Sequence, residues 1–429
     1  MAANLTLNLF TAFILLLLTA CGDSGSDEVP PEHSFAQQAY VKALNADAGD
    51  LFGYSVALEG DTLVVGVPSE QGDASSTAKN PNNNIPITDF SAGAVYVFTR
   101  SNGVWSLQAY LKASNADADD GFGWSVALSG DALVVGALLE DGDASSTAAI
   151  PNDNAPGAGA VYVFTRTGTS WSQQAYLKAS NAGELDGFGR SMALSGDTLA
   201  VGASNEDGDA SSTTETPNDN ASGAGAVYVF TGSGANWTQQ AYLKAGNAGA
   251  SDRFGASVAL SGDTLAVGAS REAGDANSTA ANPNDNASAA GAVYVFTGSG
   301  ANWTQQAYLK ASNAGGGDGF GQSVALSGDT LAVGASNEDG DENSTAANPN
   351  DNASSAGAAY LFTRSGANWS QQAYLKASNV GADDTFGTSV ALSGDTLAVG
   401  ADFEDGDENS TAANPNDNAS GAGAVYVFQ

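Results

Sequence analysis

A Phe-Gly pair recurs at Phe52, Phe122, Phe188, Phe254, Phe320 and Phe386, spaced 70 residues once and then 66 four times. A repeat of that length restricts the chain to architectures built from one supersecondary unit, because each unit buries its apolar surface only by stacking on its neighbours. The unit reads as four short strands. In the last copy, residues 386–393 (FGTSVALS) alternate into Val and Leu. Gly394-Asp395 follows as a two-residue hairpin signal, since glycine accepts the positive φ of a tight turn. Residues 396–401 (TLAVGA) are the second strand, and 423–428 (GAVYVF), rich in β-branched and aromatic residues, are the third. A fourth strand precedes each Phe-Gly pair, as in residues 372–377 (QAYLKA).

Repeated groups of four short antiparallel strands predict an all-β fold, a β-propeller. The chain opens on a lone fourth strand, residues 38–43 (QAYVKA), and ends at Gln429 directly after a third strand. The expectation is therefore a six-bladed β-propeller of four-stranded blades over residues 37–429, its ring closed by the N-terminal strand; seven blades are the alternative. Lys42, Lys112, Lys178, Lys244, Lys310 and Lys376 recur in the fourth strand. They predict an exposed outer edge guarded against strand addition.

The three motifs Phe-Gly-x-Ser-Val/Met-Ala-Leu, Leu-Ala/Val-Val-Gly-Ala/Val and Gly-Ala-Val-Tyr-Val-Phe, in that order, resemble the FG-GAP repeats of integrin α-subunit propellers and their bacterial relatives. The resemblance covers residues 38–429 and implies the fold, while leaving the activity open. It departs from the family in blade number, since integrin propellers have seven. Some integrin blades also hold calcium in a loop between first and second strands. Here that connection is two residues long, as in Gly60-Asp61 and Gly130-Asp131, too short to wrap a cation that needs 6–8 oxygens.

Upstream, residues 5–20 form an apolar run too short to span a bilayer comfortably, and 1–20 read as a signal peptide. Leu18-Thr19-Ala20-Cys21 resembles the lipobox of bacterial lipoproteins, although no Lys or Arg precedes the apolar run. The resemblance implies cleavage before Cys21, lipidation of that residue and firm membrane anchoring by two or more acyl chains. Residues 21–36 then form a polar tether. Gly22 is not the Asp-type inner-membrane retention signal, which favours delivery to the outer membrane of a bacterial cell envelope. Cys21 is the sole cysteine, so no intrachain disulfide forms.

Asp and Glu outnumber Lys and Arg 48 to 13, a formal charge of −35 that excludes nucleic acid as a partner. Much of the acid lies in the loop between second and third strands. Glu140-Asp141-Gly142-Asp143 recurs as Glu206-Asp207-Gly208-Asp209, Glu338-Asp339-Gly340-Asp341 and Glu404-Asp405-Gly406-Asp407. Decayed copies stand at Glu70–Asp73 and Glu272–Asp275, and Asn-Asp-Asn triplets follow at Asp153, Asp219, Asp285, Asp351 and Asp417. The turns into each Phe-Gly pair add Asp120, Asp186, Asp252, Asp318 and Asp384 on the same face, predicting one acidic rim. Two readings follow. Carboxylates beside amide oxygens and a Gly turn suit Ca²⁺, with Asp141, Asp143, Asp207, Asp209, Asp339, Asp341, Asp405 and Asp407 as the candidate ligands, although the spacing is not that of an EF-hand. Alternatively, Asp, Asn and Gly build turns by bonding their own backbone.

Catalysis has little to work with. The sole histidine, His33, lies in the tether, so a Ser-His-Asp triad cannot form in the propeller. Carboxylate pairs fit for glycoside hydrolysis recur in nearly every repeat, whereas an active site breaks symmetry. Trp105, Trp171, Trp237, Trp303 and Trp369 also recur and suit packing between blades more than a sugar-stacking ring. The position after Phe-Gly varies instead: Trp124 there corresponds to Tyr54, Arg190, Ala256, Gln322 and Thr388. The expected function is a non-enzymatic, lipid-anchored, monomeric scaffold that binds a protein or glycan partner through the acidic loops, with Trp124 and Asp153, Asp219, Asp285, Asp351 and Asp417 as candidate contacts. A calcium-dependent adhesion module and a glycan hydrolase are the alternatives.

Overall fold

The structure, a computed structural model, describes residues 39–45, 49–71, 92–147, 150–213, 216–279, 282–341, 343–345, 348–406, 416 and 418–429. Among them, 23 strands form six antiparallel sheets, and there is no helix. Blade 3 shows the pattern: strands Ser191–Ser195, Thr198–Ala203, Ala226–Ser233 and Asn236–Leu243 lie side by side in chain order. Gly196 takes φ 61° between the first two, so Gly-Asp makes the two-residue hairpin its sequence signals. A bulge between Val229 and Phe230 shifts the third–fourth ladder, a local increase in twist that recurs in blades 1 to 5. The second strand and the first five residues of the third are almost wholly buried, which is why both read as apolar runs without alternation.

The apolar core lies between blades. Val134, Val161 and Val163 of blade 2 pack with Phe188, Leu199, Val201 and Tyr228 of blade 3. Phe188 is fully buried and meets Tyr228 and Phe230 edge-on, with ring centroids 5.4 and 5.9 Å away. The glycine of the pair has a different task. The carbonyl of Gly255 lies against Gly202 of the preceding blade and accepts a bond from Ser191 Oγ at 2.9 Å. A Cβ on Gly202 would collide with that carbonyl. Phe-Gly is thus a joint between blades, with Phe filling the core and paired glycines allowing backbones to touch.

The chain is accordingly a six-bladed β-propeller, as the repeats predict. Two expectations need correction. The last blade has three strands, Ser389–Ser393, Thr396–Ala401 and Ala424–Phe428. Residues 39–43 carry no strand, and residue 38 lies outside the described residues. Val41 and Ala43 pack instead on the core of blade 1, where Asn45 accepts a bond from Tyr96 Oη at 2.6 Å. Asn181 engages Tyr228 in the same way, so this segment is always held by the blade that follows it. Among the described residues, no fourth strand pairs with Ala424–Phe428 at the edge that residues 38–43 were expected to close. Val425 is 70% exposed and Leu58 of blade 1 is 65% exposed, and Gly400 meets only its own blade's Ser389 and Thr388.

The second correction concerns the lysines. Lys112, Lys178, Lys244, Lys310 and Lys376 are not edge guards, for their side chains are 4–7% exposed and each pairs with a buried glutamate. The strand end carries them beneath the long loop, where the glutamate needs a counter-charge. Lys42 is exposed, as expected. The segment 1–20, Cys21, His33 and the tether lie outside the described residues.

Candidate functional site

The two ends of each blade differ. At one end the first–second and third–fourth strand connections are two-residue turns, such as Gly196-Asp197 and Gly234-Ala235. At the other, the second–third and fourth–first connections form the long acidic loops.

In blade 3, the loop is built outward from Glu206, which is 2% exposed. Its Oε2 accepts from Lys244 Nζ at 2.7 Å and the Gly208 amide at 2.9 Å. Its Oε1 accepts from Tyr242 Oη at 2.7 Å and Asn181 Nδ2 at 3.1 Å. Asp207 Oδ1 accepts the Gly223 amide across the loop at 2.7 Å. Asp209 Oδ1 accepts from Ser211 N, Ser211 Oγ and Asn218 Nδ2, and Oδ2 from Asn220 Nδ2. Blade 2 repeats these contacts through Asp141 and Asp143, and blade 5 repeats most of them through Asp339 and Asp341. Asp405 keeps the cross-loop bond to Gly421 N, while Asp407 lies outside the described residues.

These bonds decide the electrostatics. The donors around Asp143 and Asp209, led by the serine two residues on, hold both carboxyls well below the usual carboxylate range. The turn aspartates go the other way. Burial pushes Asp120 up to about 8, Asp186 and Asp252 to about 7 and Asp318 to about 6, against the opposing pull of one backbone amide each.

Asp143, Asp186, Asp207 and Asp219 come together around a cleft of about 660 Å³ between the loops of blades 2 and 3. Both Asp143 oxygens, one oxygen of Asp186 and one of Asp207 accept from N–H or O–H donors of the loops. These hydrogen bonds are turn-building contacts. Among the described residues, no group of three or more His, Cys, Asp or Glu side chains stands close enough to hold a metal ion. Asp153, Asp219, Asp285 and Asp351 are exposed on the same face, and Asp417 lies outside the described residues.

The FG-GAP repeat model matches residues 35–98, 105–164, 171–230, 237–296, 303–362 and 369–428, most of the chain. This protein belongs to the FG-GAP repeat family. No curated protein matches it. Each FG-GAP match after the first begins near the start of a fourth strand and ends within the following third strand, so one sequence repeat spans two blades.

The recurring tryptophans serve the FG-GAP scaffold at the short-turn end. Trp171 Nε1 donates to Gln108 of the preceding blade at 2.8 Å, and Arg166 stacks on its ring at 5.1 Å. Trp124 does not follow this pattern. Its ring lies 4.8 Å from that of Tyr54 on blade 1, so two variable positions of adjacent blades meet on the loop face. Sequence reasoning singled out that variable position but missed Arg253 and Arg271 beside it. The available signal was a break in repetition: Arg253 stands where Gly121, Gly187 and Gly319 stand in other blades.

Proposed function

We propose that this chain is a non-catalytic binding scaffold of the bacterial cell envelope, anchored through a lipid on Cys21. As a monomeric propeller it takes a protein or glycan partner on its loop face. The observation that carries the reading is the contrast between the ends. One end is spent on minimal turns, while the other bears long loops that are pre-organised by their own Asp and Asn side chains. Rigid loops lose little entropy on binding. The buried Lys-Glu pairs and loop aspartates recur blade after blade in one structural role, and this favours a scaffold over an active site.

Two measurements test it. Fractionation of cells expressing the full chain should place it with membranes, and Cys21→Ser should release it. The purified chain, screened against arrayed glycans and envelope proteins, should bind its ligand more weakly on Trp124→Ala, on the loop face, but equally well on Asp197→Lys at the opposite end. Chemical conversion of the bound ligand, or loss of binding from the Asp197 variant alone, would overturn the reading.

A further inference from the structure

Among the described residues of this strongly acidic chain, eight of twelve Lys and Arg side chains are held in ion pairs. Five lysines are buried against glutamates, and Arg100, Arg166 and Arg364 pair with aspartates at the short-turn end. Among the described residues, Lys42, Arg190, Arg253 and Arg271 form no ion pair. The three arginines converge on the loop face where blade 3 meets blade 4, although they come from three different positions of the repeat.

Arg190 follows the Phe-Gly pair of blade 3, Arg253 precedes Phe254, and Arg271 follows the second strand of blade 4, Thr264–Ala269. Arg253 holds φ 60°, a left-handed backbone that Gly121, Gly187 and Gly319 adopt freely and that arginine disfavours. Its amide donates to Gly223 O at 3.1 Å, which fixes it there. Leu51 and Thr385 hold the same left-handed backbone at this position of blades 1 and 6, so what sets Arg253 apart is its charge.

Arg253 and Arg271 line a cleft of about 340 Å³ with Leu185, Ser251, Glu184 and Asp207. Neither carboxylate pairs with an arginine, and Asp207 is engaged by the Gly223 amide. Burial and the like charges of Arg271 and Arg190 push the Arg253 guanidinium down, as expected for cations gathered without a counter-ion. Arg190 acts in turn on the Tyr54 phenol, whose ring meets Trp124. Three consecutive blades thus present Tyr, Trp and Arg at one position, and the arginine cleft continues the row. The equivalent positions of blades 4 to 6 are Ala256, Gln322 and Thr388.

We propose that Arg190, Arg253 and Arg271 bind an acidic glycan, a chain of carboxylated or sulfated sugars, with Tyr54 and Trp124 packing against a neighbouring sugar ring. Guanidinium forks match carboxylate and sulfate oxygens two at a time. Flat aromatic faces supply apolar area beside them, a pairing that a glycan uses more fully than a simple anion. This names the ligand class of the loop-face scaffold and rests on that reading.

The test is calorimetric titration of the full chain with a polyuronate oligosaccharide, a sulfated oligosaccharide of the same length and a neutral one; the first two separate carboxylate from sulfate. At least one acidic oligosaccharide should bind, with the neutral one weaker by about tenfold or more. Arg253→Ala and Arg271→Ala should each weaken binding by about tenfold, Arg190→Lys by less and Trp124→Ala measurably, with unchanged melting. Arg166→Ala at the opposite end should bind like the parent. Absence of binding by both acidic oligosaccharides at millimolar concentration, equal binding of the neutral one, or unchanged affinity in the arginine variants would overturn the site. Binding of an acidic peptide in place of both glycans would overturn the ligand class. Another arrayed ligand held on the loop face would then leave the scaffold standing, whereas cleavage of a glycan held by these arginines would sink the scaffold and keep the site.

Discussion

Removing one lysine from an internal blade tests how the FG-GAP blades are held together. Lys244 and Glu206 are 5% and 3% exposed and sit 2.7 Å apart, so Lys244→Met leaves a buried carboxylate without its cation. Breaking a buried pair from one side costs about 3–5 kcal/mol. Glu206 keeps three other donors, Tyr242, Asn181 and the Gly208 amide, which places the loss near the low end, about 3 kcal/mol. Glu206→Gln strands Lys244 with only the Gly225 carbonyl and should cost a similar amount. The double variant removes both charges and should be no worse than either single change, a coupling of about 3 kcal/mol. Urea denaturation of all four proteins measures it. Additive losses, or a Lys244→Met cost below about 1 kcal/mol, would refute the reasoning. Lys42→Met is the internal control. Lys42 is exposed and Glu404 is served by Asn379 and Gly406, so the change should stay within about 0.5 kcal/mol. A loss as large as that of Lys244→Met would show residues 38–43 completing the last blade.

Three further outcomes follow. Stability should peak on the acid side of neutrality: Asp120, Asp186, Asp252 and Asp318 have raised folded pKa values, so their contribution is full below about pH 4 and lost as pH rises through about 6–8. Asp143, Asp209, Asp275 and Asp341 are depressed, so theirs is present above about pH 4 and lost below it; melting from pH 3 to 9 should show a maximum near pH 5, flattened on the alkaline side by Asp186→Asn. Gly202→Ala drives a methyl into Gly255 O and should cost about 3 kcal/mol or more, whereas Gly400→Ala, which meets no neighbouring blade, should cost less in the same denaturation assay. Millimolar Ca²⁺ should leave the melting temperature unchanged relative to chelator, because a cation held only by the native state would raise it.

The blades were legible because their signals are local and repeated. In Thr198–Ala203 and Ala226–Ser233, β-branched and aromatic residues sit between Gly-Asp and other Gly-containing turns, and each repeat restates the same register. The place of Lys178 was not legible, since QQAYLK reads as an amphipathic edge until the loop carrying Glu140 folds back over the strand. That contact joins residues 38 apart and depends on the fate of the loop between them. The loop aspartates were legible only as a choice between two chemistries. Only the folded loop shows that Asp209 Oδ1 accepts the Ser211 amide and Asn218 Oδ1 the Asp209 amide, bonds that residue types alone do not reveal.

The same logic separates structure from recognition across the chain. A residue repeated from blade to blade must satisfy the blade, and its chemistry is then consumed there: Glu206 by Lys244, Asp207 by Gly223, Trp171 by Gln108. A ligand, by contrast, contacts one place on the ring, so its site has to be written in residues that break the repeat. Arg190, Arg253 and Arg271 break it at three separate positions and still arrive at one boundary between blades. Repetition cannot place them there, and in a chain of charge −35 neither can a general surplus of cations. Packing gives no reason either, since Gly187 and Gly319 make the same turn as Arg253 without a side chain. What the three arginines share is a place, on the face with the long loops.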